Sequence, residues 1–182
     1  MKRCSWVNLS NPIYVKYHDE EWCVPKYDDQ VLFELLTLEI FQAGLSWETI
    51  LKKRESFRLA FDFFDIEKIS EYKDNKIIEL MNNKNIIRNI RKINATINNA
   101  IVFKNIINEY GSFSNYIWGK TNNLVVVNDS FITKNELSDE VTFDLKNKGM
   151  KFIGTTIIYS YLQAIGIVNS HEIDCFKSDY NL

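Results

Sequence analysis

The sequence has few cysteines and no run of apolar residues at its start, and each scarcity excludes a class of protein. Three cysteines in 182 residues are too few for a disulfide-stapled secreted domain, and they predict a reducing compartment. No apolar run follows Lys2 and Arg3, so a secretory signal peptide of the usual kind is not expected. We therefore expect a cytoplasmic protein.

Basic charge and long hydrophobic runs are scarce as well. Lys and Arg total 22 against 24 Asp and Glu, a formal net charge of −2, so nucleic acid would have to be bound through a local basic patch. The only membrane-like stretch, residues 152–170, is interrupted by Gly154, Gln163, Gly166 and Asn169. It predicts a buried helix rather than a membrane span.

What is present is an ordinary globular composition with strong helical periodicity. Hydrophobic residues make up 46% and charged residues 25% of the chain, which fits one compact domain over residues 1–182. Isoleucine and leucine recur at helical spacing, most clearly in residues 31–38 and 86–107, and strand alternation is nearly absent. We predict an all-α fold of about eight to ten short helices.

Several helix starts and one strand can be placed from the sequence. The candidate N-cap residues are Asn11, Asp28, Ser46, Asp65 and Asp74. The sole candidate strand is residues 124–127, within a polar stretch from 120 to 138 that we interpret as a surface connection.

Both histidines lie near a cysteine in the sequence: His18 follows Cys4, and His171 precedes Cys175. The second pair is spaced by four residues, so on one helical turn both side chains would reach the same ion. Two such pairs make an N2S2 set that suits Zn²⁺ and leaves no open position for a reactive water, which predicts a structural site joining the two chain ends. Spacing alone leaves open two unrelated histidines near buried thiols, and for Cys23 a buried thiol is our interpretation.

Glu39 lies within an apolar run, and glutamate is seldom buried without a partner. It either forms a structural ion pair, which its position alone favours, or lines a pocket for a cationic or hydrogen-bond-donating ligand. The aromatic residues that gather nearby in sequence are Trp6, Tyr14, Tyr17, Trp22 and Trp47. Such clusters are mostly core, but polar-tipped rings tilt the interpretation towards a cleft that stacks a flat ring.

Glycines predict two tight turns with a possible role in binding. Gly44 is predicted to end a helix and to present Leu45 on a tight turn before Ser46. Residues 145–156 are typical of a helix-hairpin-helix motif, in which glycines let the backbone approach a phosphodiester and the helix starting near Thr155 points its N–H groups at the anion. The lysines that would add positive charge are Lys146, Lys148 and Lys151. This pattern predicts sequence-independent DNA binding, with an ordinary glycine-capped turn as the alternative.

Together these segments resemble the 3-methyladenine DNA glycosylase I family of the helix-hairpin-helix superfamily. The shared motifs are Arg3-Cys4-x-Trp6, Tyr17-His18-Asp19-x-Glu21-Trp22-x-Val24-Pro25, Leu38-Glu39, Gln42-Ala43-Gly44-Leu45-Ser46-Trp47, Leu51-Lys52-Lys53-Arg54, Lys151-Phe152-x-Gly154-Thr155-Thr156 and His171-x-x-x-Cys175. They cover nearly the whole chain and are weakest over residues 119–140.

The resemblance implies a base-excision repair enzyme that flips 3-methyladenine out of alkylated duplex DNA and hydrolyses its N-glycosidic bond, leaving an abasic site. It implies that Glu39 hydrogen-bonds the flipped base and that Leu45 fills the gap in the duplex. The implied base-binding residues are Trp6, Tyr14, Tyr17, Trp22 and Trp47, the DNA-contacting residues are Gln42, Gly44, Leu45, Lys151, Gly154 and Thr155, and the ligands of one structural zinc are Cys4, His18, His171 and Cys175. No membrane or protein partner is implied, and we expect a monomer.

The chain departs from the family pattern at a few positions. Cys23 replaces the usual glycine, Met150 the usual phenylalanine, and Ile40-Phe41 stand where smaller or polar residues are frequent. These changes bear on the selectivity for the base more than on the reaction.

Two rival functions are considered. One is a module that is held together by zinc and binds damaged DNA without cleaving the glycosidic bond; such a module would not need the pocket predicted around Glu39. The other is a zinc hydrolase, which needs an open coordination position.

Overall fold

The computed structural model describes residues 1–128 and 132–178. In these ranges the chain forms nine α-helices, one π-helical turn and one 3₁₀ turn. The α-helices are α1 (Pro12–Lys16), α2 (Asp29–Gln42), α3 (Trp47–Ala60), α4 (Ile66–Ser70), α5 (Asp74–Asn82), α6 (Ile90–Tyr110), α7 (Phe113–Gly119), α8 (Glu136–Asn147) and α9 (Thr155–Ala164), and the π turn and 3₁₀ turn are Tyr17–Glu21 and Asp62–Phe64. A mostly helical fold with the predicted number of helices is confirmed.

Local side chains determine where several of these helices begin. Asn11, Asp28, Ser46 and Asp65 each accept a hydrogen bond from a backbone N–H in the first turn of the following helix, as predicted. The prediction for Asp74 is wrong by one residue, because Asp74 is the first residue of α5 and no side chain caps that helix.

The predicted strand is present only at Val126–Val127 (β1). It pairs in parallel with Val168–Asn169 (β2), which the sequence analysis did not predict. Strands of two residues are too short to show alternation, and β2 begins only four residues after the end of a buried apolar helix. The predicted surface connection over 120–138 already contains the start of α8, and its residues 129–131 lie outside the described ranges.

Helix α2 runs through the centre of the core. All ten of its residues from Leu32 to Phe41 are buried, and it packs against α3, α6, α7 and α9. A helix that is apolar around its whole circumference must be covered on every side. Glu34 and Glu39, the two carboxylates that α2 carries into this core, therefore need a physical explanation.

The uncharged stretch at residues 152–170 folds as predicted into a buried helix. It contains α9, whose buried side chains include Ile158, Tyr161 and Leu162. Within the described residues no helix has both the length and the apolarity needed to cross a membrane.

Candidate active site

A pocket of about 170 Å³ opens where α1, the π turn, α2, α3 and α9 meet. It brings Glu39 together with all five aromatic residues that the sequence analysis singled out. The lining residues are Trp6, Tyr14, Tyr17, Trp22, Glu39, Gln42, Trp47, Ser160 and Gln163. Pockets for drug-sized ligands hold roughly 300–1,000 Å³, so this one suits a single flat ring system.

The two buried glutamates of α2 have opposite surroundings. Glu34 forms ion pairs with Arg54 at 2.5 Å and Arg58 at 2.9 Å. Glu39 is equally buried, at 6% exposed, and no basic side chain pairs with it in the part of the chain described. The prediction of a structural ion pair for Glu39 is therefore wrong. The arginines of α3 pair instead with Glu34, which lies about one and a half helical turns earlier on α2.

Burial raises the pKa of Glu39 from its usual 4.5 to about 8. The cause is desolvation, since an ionised carboxylate loses its water shell inside the protein. Glu39 is consequently mainly protonated at neutral pH in the free protein. A ligand that brings a positive charge into the pocket would lower this pKa again and pair with the carboxylate.

The aromatic rings form the walls of the pocket. Tyr17 contacts Trp47 with ring centroids 5.3 Å apart. Trp6 contacts Tyr14 at 5.4 Å and Trp22 at 4.8 Å, both edge to face. Ring faces carry negative electrostatic potential, so walls of this kind attract a flat cationic ring.

The segment that carries Tyr17 and Trp22 is shaped by an unusual turn and a close approach. The Trp22 N–H donates to the Tyr17 carbonyl at 2.8 Å, the i to i+5 bond of a π-helical turn, a feature frequent at functional sites. The residues that follow the π turn pack closely against Gly166, which has φ +82°. A Cβ atom at position 166 would lie only 2.4 Å from the backbone nitrogen of Pro25. Only glycine permits this contact, which holds the pocket segment against the end of α9.

Ser160 and Gln163 of α9 both line the pocket, although no pocket role was predicted for them from the sequence. These residues are three apart, so they share one face of a helix that is otherwise largely apolar. That pair of polar residues was the available signal. Gln42, expected at the DNA, also lines the pocket, and its Nε2 donates to the Leu45 carbonyl at 2.8 Å.

The turn between α2 and α3, residues 42–46, presents Leu45 beside the pocket. Gly44 has φ +87°, a conformation that costs other residues free energy. The Leu45 N–H donates to the Gln42 carbonyl at 2.7 Å, which closes the turn. The Leu45 side chain remains 39% exposed, so an apolar group projects into solvent next to the opening.

The turn between α8 and α9, residues 148–154, ends at a helix start without a side-chain cap. Gly154 is the N-cap of α9 and, having no side chain, makes no capping hydrogen bond to the first N–H groups of that helix. Lys151 is exposed, and Thr155 bonds Ser138 through its hydroxyl at 2.9 Å. Lys148 pairs instead with Glu109 at 3.0 Å, so its charge is largely neutralised within the protein.

Three of the four predicted metal ligands form a buried cluster. The side-chain ligand atoms of Cys4, His18 and Cys175 all lie within 4.8 Å of one another. His171 is outside this group, with its ring centroid 5.1 Å from that of His18. Burial lowers the pKa of His171 to about 4, which keeps its imidazole in the neutral, metal-binding form.

The groups around the cluster orient its side chains as they do in metal sites. The Nδ1 atom of His18 bonds Asp19 at 2.8 Å, and Nδ1 of His171 bonds Asn169 at 2.9 Å. The opposite edge of the His18 ring faces the cluster, where its Nε2 atom lies 3.5 Å from the Cys175 sulfur. Backbone N–H groups donate to the sulfur atoms of Cys4 at 3.4 Å and Cys175 at 3.5 Å. Burial nevertheless raises the pKa of the Cys4 thiol to about 12 in the metal-free protein.

The cluster also supports the pocket wall. Trp6 packs on the His18 ring at 5.4 Å, and Trp22 packs on the His171 ring at 4.7 Å. Both tryptophans belong to the apolar layer around Cys4 and Cys175. Whatever holds the cluster together therefore also fixes two walls of the pocket.

The third cysteine is not part of this cluster. Cys23 is buried and has φ +58°, a backbone conformation that glycine adopts at no steric cost. Burial raises the pKa of its thiol to about 12. The prediction of a buried thiol is confirmed.

Known proteins share this fold and much of this sequence. The profile of the methyladenine glycosylase family matches residues 6–178. The DNA-3-methyladenine glycosylase 1 of Escherichia coli (strain K12) is 40% identical over 180 residues, which are 96% of each chain. The DNA-3-methyladenine glycosylase of Haemophilus influenzae (strain ATCC 51907 / DSM 11121 / KW20 / Rd) is 42% identical over 178 residues, 95% of this chain and 96% of the relative.

A solved structure agrees. The crystal structure of a variant of 3-methyladenine DNA glycosylase I in complex with 3-methyladenine has a TM-score of 0.91 and 36% identity, covering 96% of both chains. The family profile, the full-length identity and the shared fold lead to the same conclusion. The chain belongs to the methyladenine glycosylase family.

Proposed function

We propose that this protein removes 3-methyladenine from alkylated duplex DNA by hydrolysing its N-glycosidic bond, the first step of base-excision repair. The observation that carries this proposal is a buried carboxylate without a cationic partner in the described structure, Glu39, in an aromatic pocket the size of one base. The activity also corresponds to the names of relatives about 40% identical over nearly the full chain.

The substrate needs little catalytic machinery. Methylation at N3 places a positive charge on the adenine ring, so the base leaves as a neutral molecule when the bond between the sugar C1′ and the ring nitrogen breaks. Water adds its oxygen to C1′ and loses a proton to solvent, and the bonding electrons go to the departing base. The chain offers no acid between Gly154 and Glu172, and we assign no general base.

Selectivity follows from the charge of the damaged base. Stacking of the flipped base on Trp47 and Tyr17 contributes about 1–3 kcal/mol, and a cationic ring gains roughly 0.5–2 kcal/mol more per aromatic contact. Trp6, Tyr14 and Trp22 shape the remaining wall. The carboxylate of Glu39 pairs with the cation, which normal adenine does not supply.

We propose that the turns at residues 42–46 and 148–154 contact the duplex. Leu45 fills the gap left by the flipped nucleotide, with Gln42 and Gly44 holding its turn. The second turn is a helix-hairpin-helix motif in which Lys151, Gly154 and Thr155 contact phosphates, supported by the uncapped start of α9.

The Leu45→Ala variant tests whether Leu45 acts as a wedge, that is, whether its side chain fills the gap left in the duplex by the flipped nucleotide. Its affinity for duplex containing an abasic site is expected to fall about 10-fold, because a buried leucine contributes roughly 1.5–3 kcal/mol and alanine retains part of it. Binding of free 3-methyladenine, followed by tryptophan fluorescence, should not change.

The matched control for that variant is Leu59→Ala, which removes a leucine that is 67% exposed at the C-terminal end of α3, the end opposite the turn that carries Leu45. It should leave both affinities unaltered. Equal losses for abasic duplex and free base in Leu45→Ala would contradict the wedge role.

We further propose that Cys4, His18, His171 and Cys175 hold one structural Zn²⁺. The support is the N2S2 donor set, three of whose side chains already converge, and the orientation of both imidazoles by Asp19 and Asn169. Four protein ligands would supply cross-linking of the N- and C-terminal segments rather than a reactive water. We propose a cytoplasmic, monomeric, single-domain enzyme.

The proposed activity is tested by incubating the zinc-loaded protein with methylated duplex DNA and quantifying the released bases chromatographically. We expect free 3-methyladenine and matching abasic sites, with no release from unmethylated duplex. Tight binding to abasic duplex without any release would instead indicate a damage-binding module.

A further inference from the structure

Lys92 is a buried lysine that forms no ion pair within the described ranges. It lies in the first turn of α6 and is 6% exposed. Its Nζ atom donates to the carbonyl oxygens of Phe41 at 3.1 Å and Ala43 at 2.9 Å. Burying an ammonium group is costly unless hydrogen bonds replace its water, and here main-chain carbonyls do so.

The two carbonyls belong to the end of α2. The last turn of α2 contains no basic residue of its own, although carbonyls at a helix C-terminus carry partial negative charge that a cation stabilises. Lys92 supplies that cation from another helix. It thereby determines where the chain leaves α2, two residues before Leu45.

The other hydrogen bonds of this turn are local. Gln42 and Leu45 bond each other through main-chain and side-chain groups, and Ser46 bonds Thr49. Such bonds set the shape of the turn but not its direction relative to the rest of the protein. In the described structure, Lys92 ties the end of α2 to the distant helix α6, through Phe41 in the last turn of α2 and through Ala43 in the turn at residues 42–46.

The same helix holds the other turn proposed to contact DNA. Asn99 accepts from the Lys151 N–H at 2.8 Å and donates to the Lys151 carbonyl at 3.0 Å. Asn98 donates to the Gly149 carbonyl at 2.9 Å. Lys92 and Asn99 are separated by about two helical turns, roughly 10 Å along α6. One rigid helix therefore fixes both turns.

We propose that Lys92 is a positioning residue for excision: it orients the Leu45 turn relative to the turn at residues 148–154, so that both engage the same duplex. This role rests on the proposed function, since it concerns two segments that act together only on DNA. It places no group of Lys92 on the base or on the reacting bond.

The test compares Lys92→Met, which keeps the apolar stem and removes the ammonium, with Lys104→Met. Lys104 lies on the same helix, where it pairs with Glu67. We expect Lys92→Met to lower kcat/KM on methylated duplex about 10-fold, as misplacement of a substrate-positioning group does. Its affinity for free 3-methyladenine should stay within about 2-fold of the wild type, and Lys104→Met should match the wild type in both measurements.

A double-mutant cycle with Leu45→Ala separates positioning from a general structural role. If Lys92 acts through Leu45, adding Lys92→Met to Leu45→Ala should cost no more than about 2-fold, because coupled residues are not additive. Lys92→Arg, which keeps a cationic donor, should retain more activity than Lys92→Met. Should the methionine variant fail to fold, Lys92→Gln replaces it in the cycle.

Two results would overturn the proposal. One is a full 10-fold loss on the Leu45→Ala background, which would show that Lys92 acts independently of the wedge. The other is an equal loss of free-base affinity, which would place its effect in the pocket. Wild-type release of 3-methyladenine is measured in the same assay, so a failure of the proposed function would be recognised separately.

Discussion

Glu39→Gln is expected to lower kcat/KM for 3-methyladenine release about 100-fold at about pH 8.5, the size of effect seen when one charge-stabilising group is removed from a buried site. The glutamine keeps the shape of the side chain but cannot become an anion beside the cationic base. Single-turnover release from methylated duplex, at matched zinc content, is the measurement. Glu55→Gln on α3, whose side chain is 75% exposed, is the control and should match the wild type.

The dependence of kcat/KM on pH provides a second test of the role of Glu39. Since burial raises the pKa of Glu39 to about 8, the free protein must lose that proton before it pairs with the cation. Wild-type kcat/KM should therefore rise about tenfold per pH unit towards pH 8 and level off above it. Glu39→Gln should lack this rise, so the two proteins converge at low pH. A flat wild-type profile would show that the ionised carboxylate is not required.

Thermal stability distinguishes this loss of activity from a folding defect. A carboxyl group whose pKa is raised on folding binds more protons in the folded state, so the free energy of unfolding falls as the pH rises from about 4.5 to about 8. Glutamine does not titrate. Glu39→Gln should consequently have a higher Tm than the wild type at pH 8, together with its lower activity. A lower Tm would instead point to a damaged core.

Cys175→Ala should lose the bound metal and lower Tm by roughly 10 °C, at about 2–4 °C per kcal/mol for a domain of this size. The substitution removes one of the converging sulfur atoms that join the C-terminal segment to Cys4 and His18. Zinc content by mass spectrometry and Tm with and without a chelator are the measurements. Free-base affinity should fall too, because Trp6 packs on His18 and Trp22 packs on His171, two of the proposed zinc ligands.

Cys23→Ala is the matched control for the zinc prediction. Its thiol is buried but lies outside the cluster, so one zinc per chain should remain and the chelator should lower Tm as in the wild type. His171→Ala tests the rival assignment of a catalytic metal. Abolished turnover with unchanged Tm in that variant would favour a zinc hydrolase over a structural site.

Features set by neighbouring residues could be predicted from the sequence. Asn11, Asp28 and Ser46 cap helices because their side chains reach N–H groups two or three residues ahead. The strand β2 could not be predicted, because it exists only through pairing with residues some forty positions earlier. The pocket role of Ser160 was missed for a similar reason, since the face of α9 that meets α2 is decided by packing.

The two glutamates of α2 show which features the sequence determines and which depend on the tertiary structure. The sequence by itself determined that carboxylates enter an apolar helix, that thiols and imidazoles occur in pairs, and that glycines allow tight turns, because these are properties of residue type and spacing. Only the tertiary structure decided that Arg54 and Arg58 meet Glu34 while Glu39 faces the pocket. It likewise decided that Lys92 reaches the end of α2. Each of these contacts joins different helices, whose relative orientation is set by core packing.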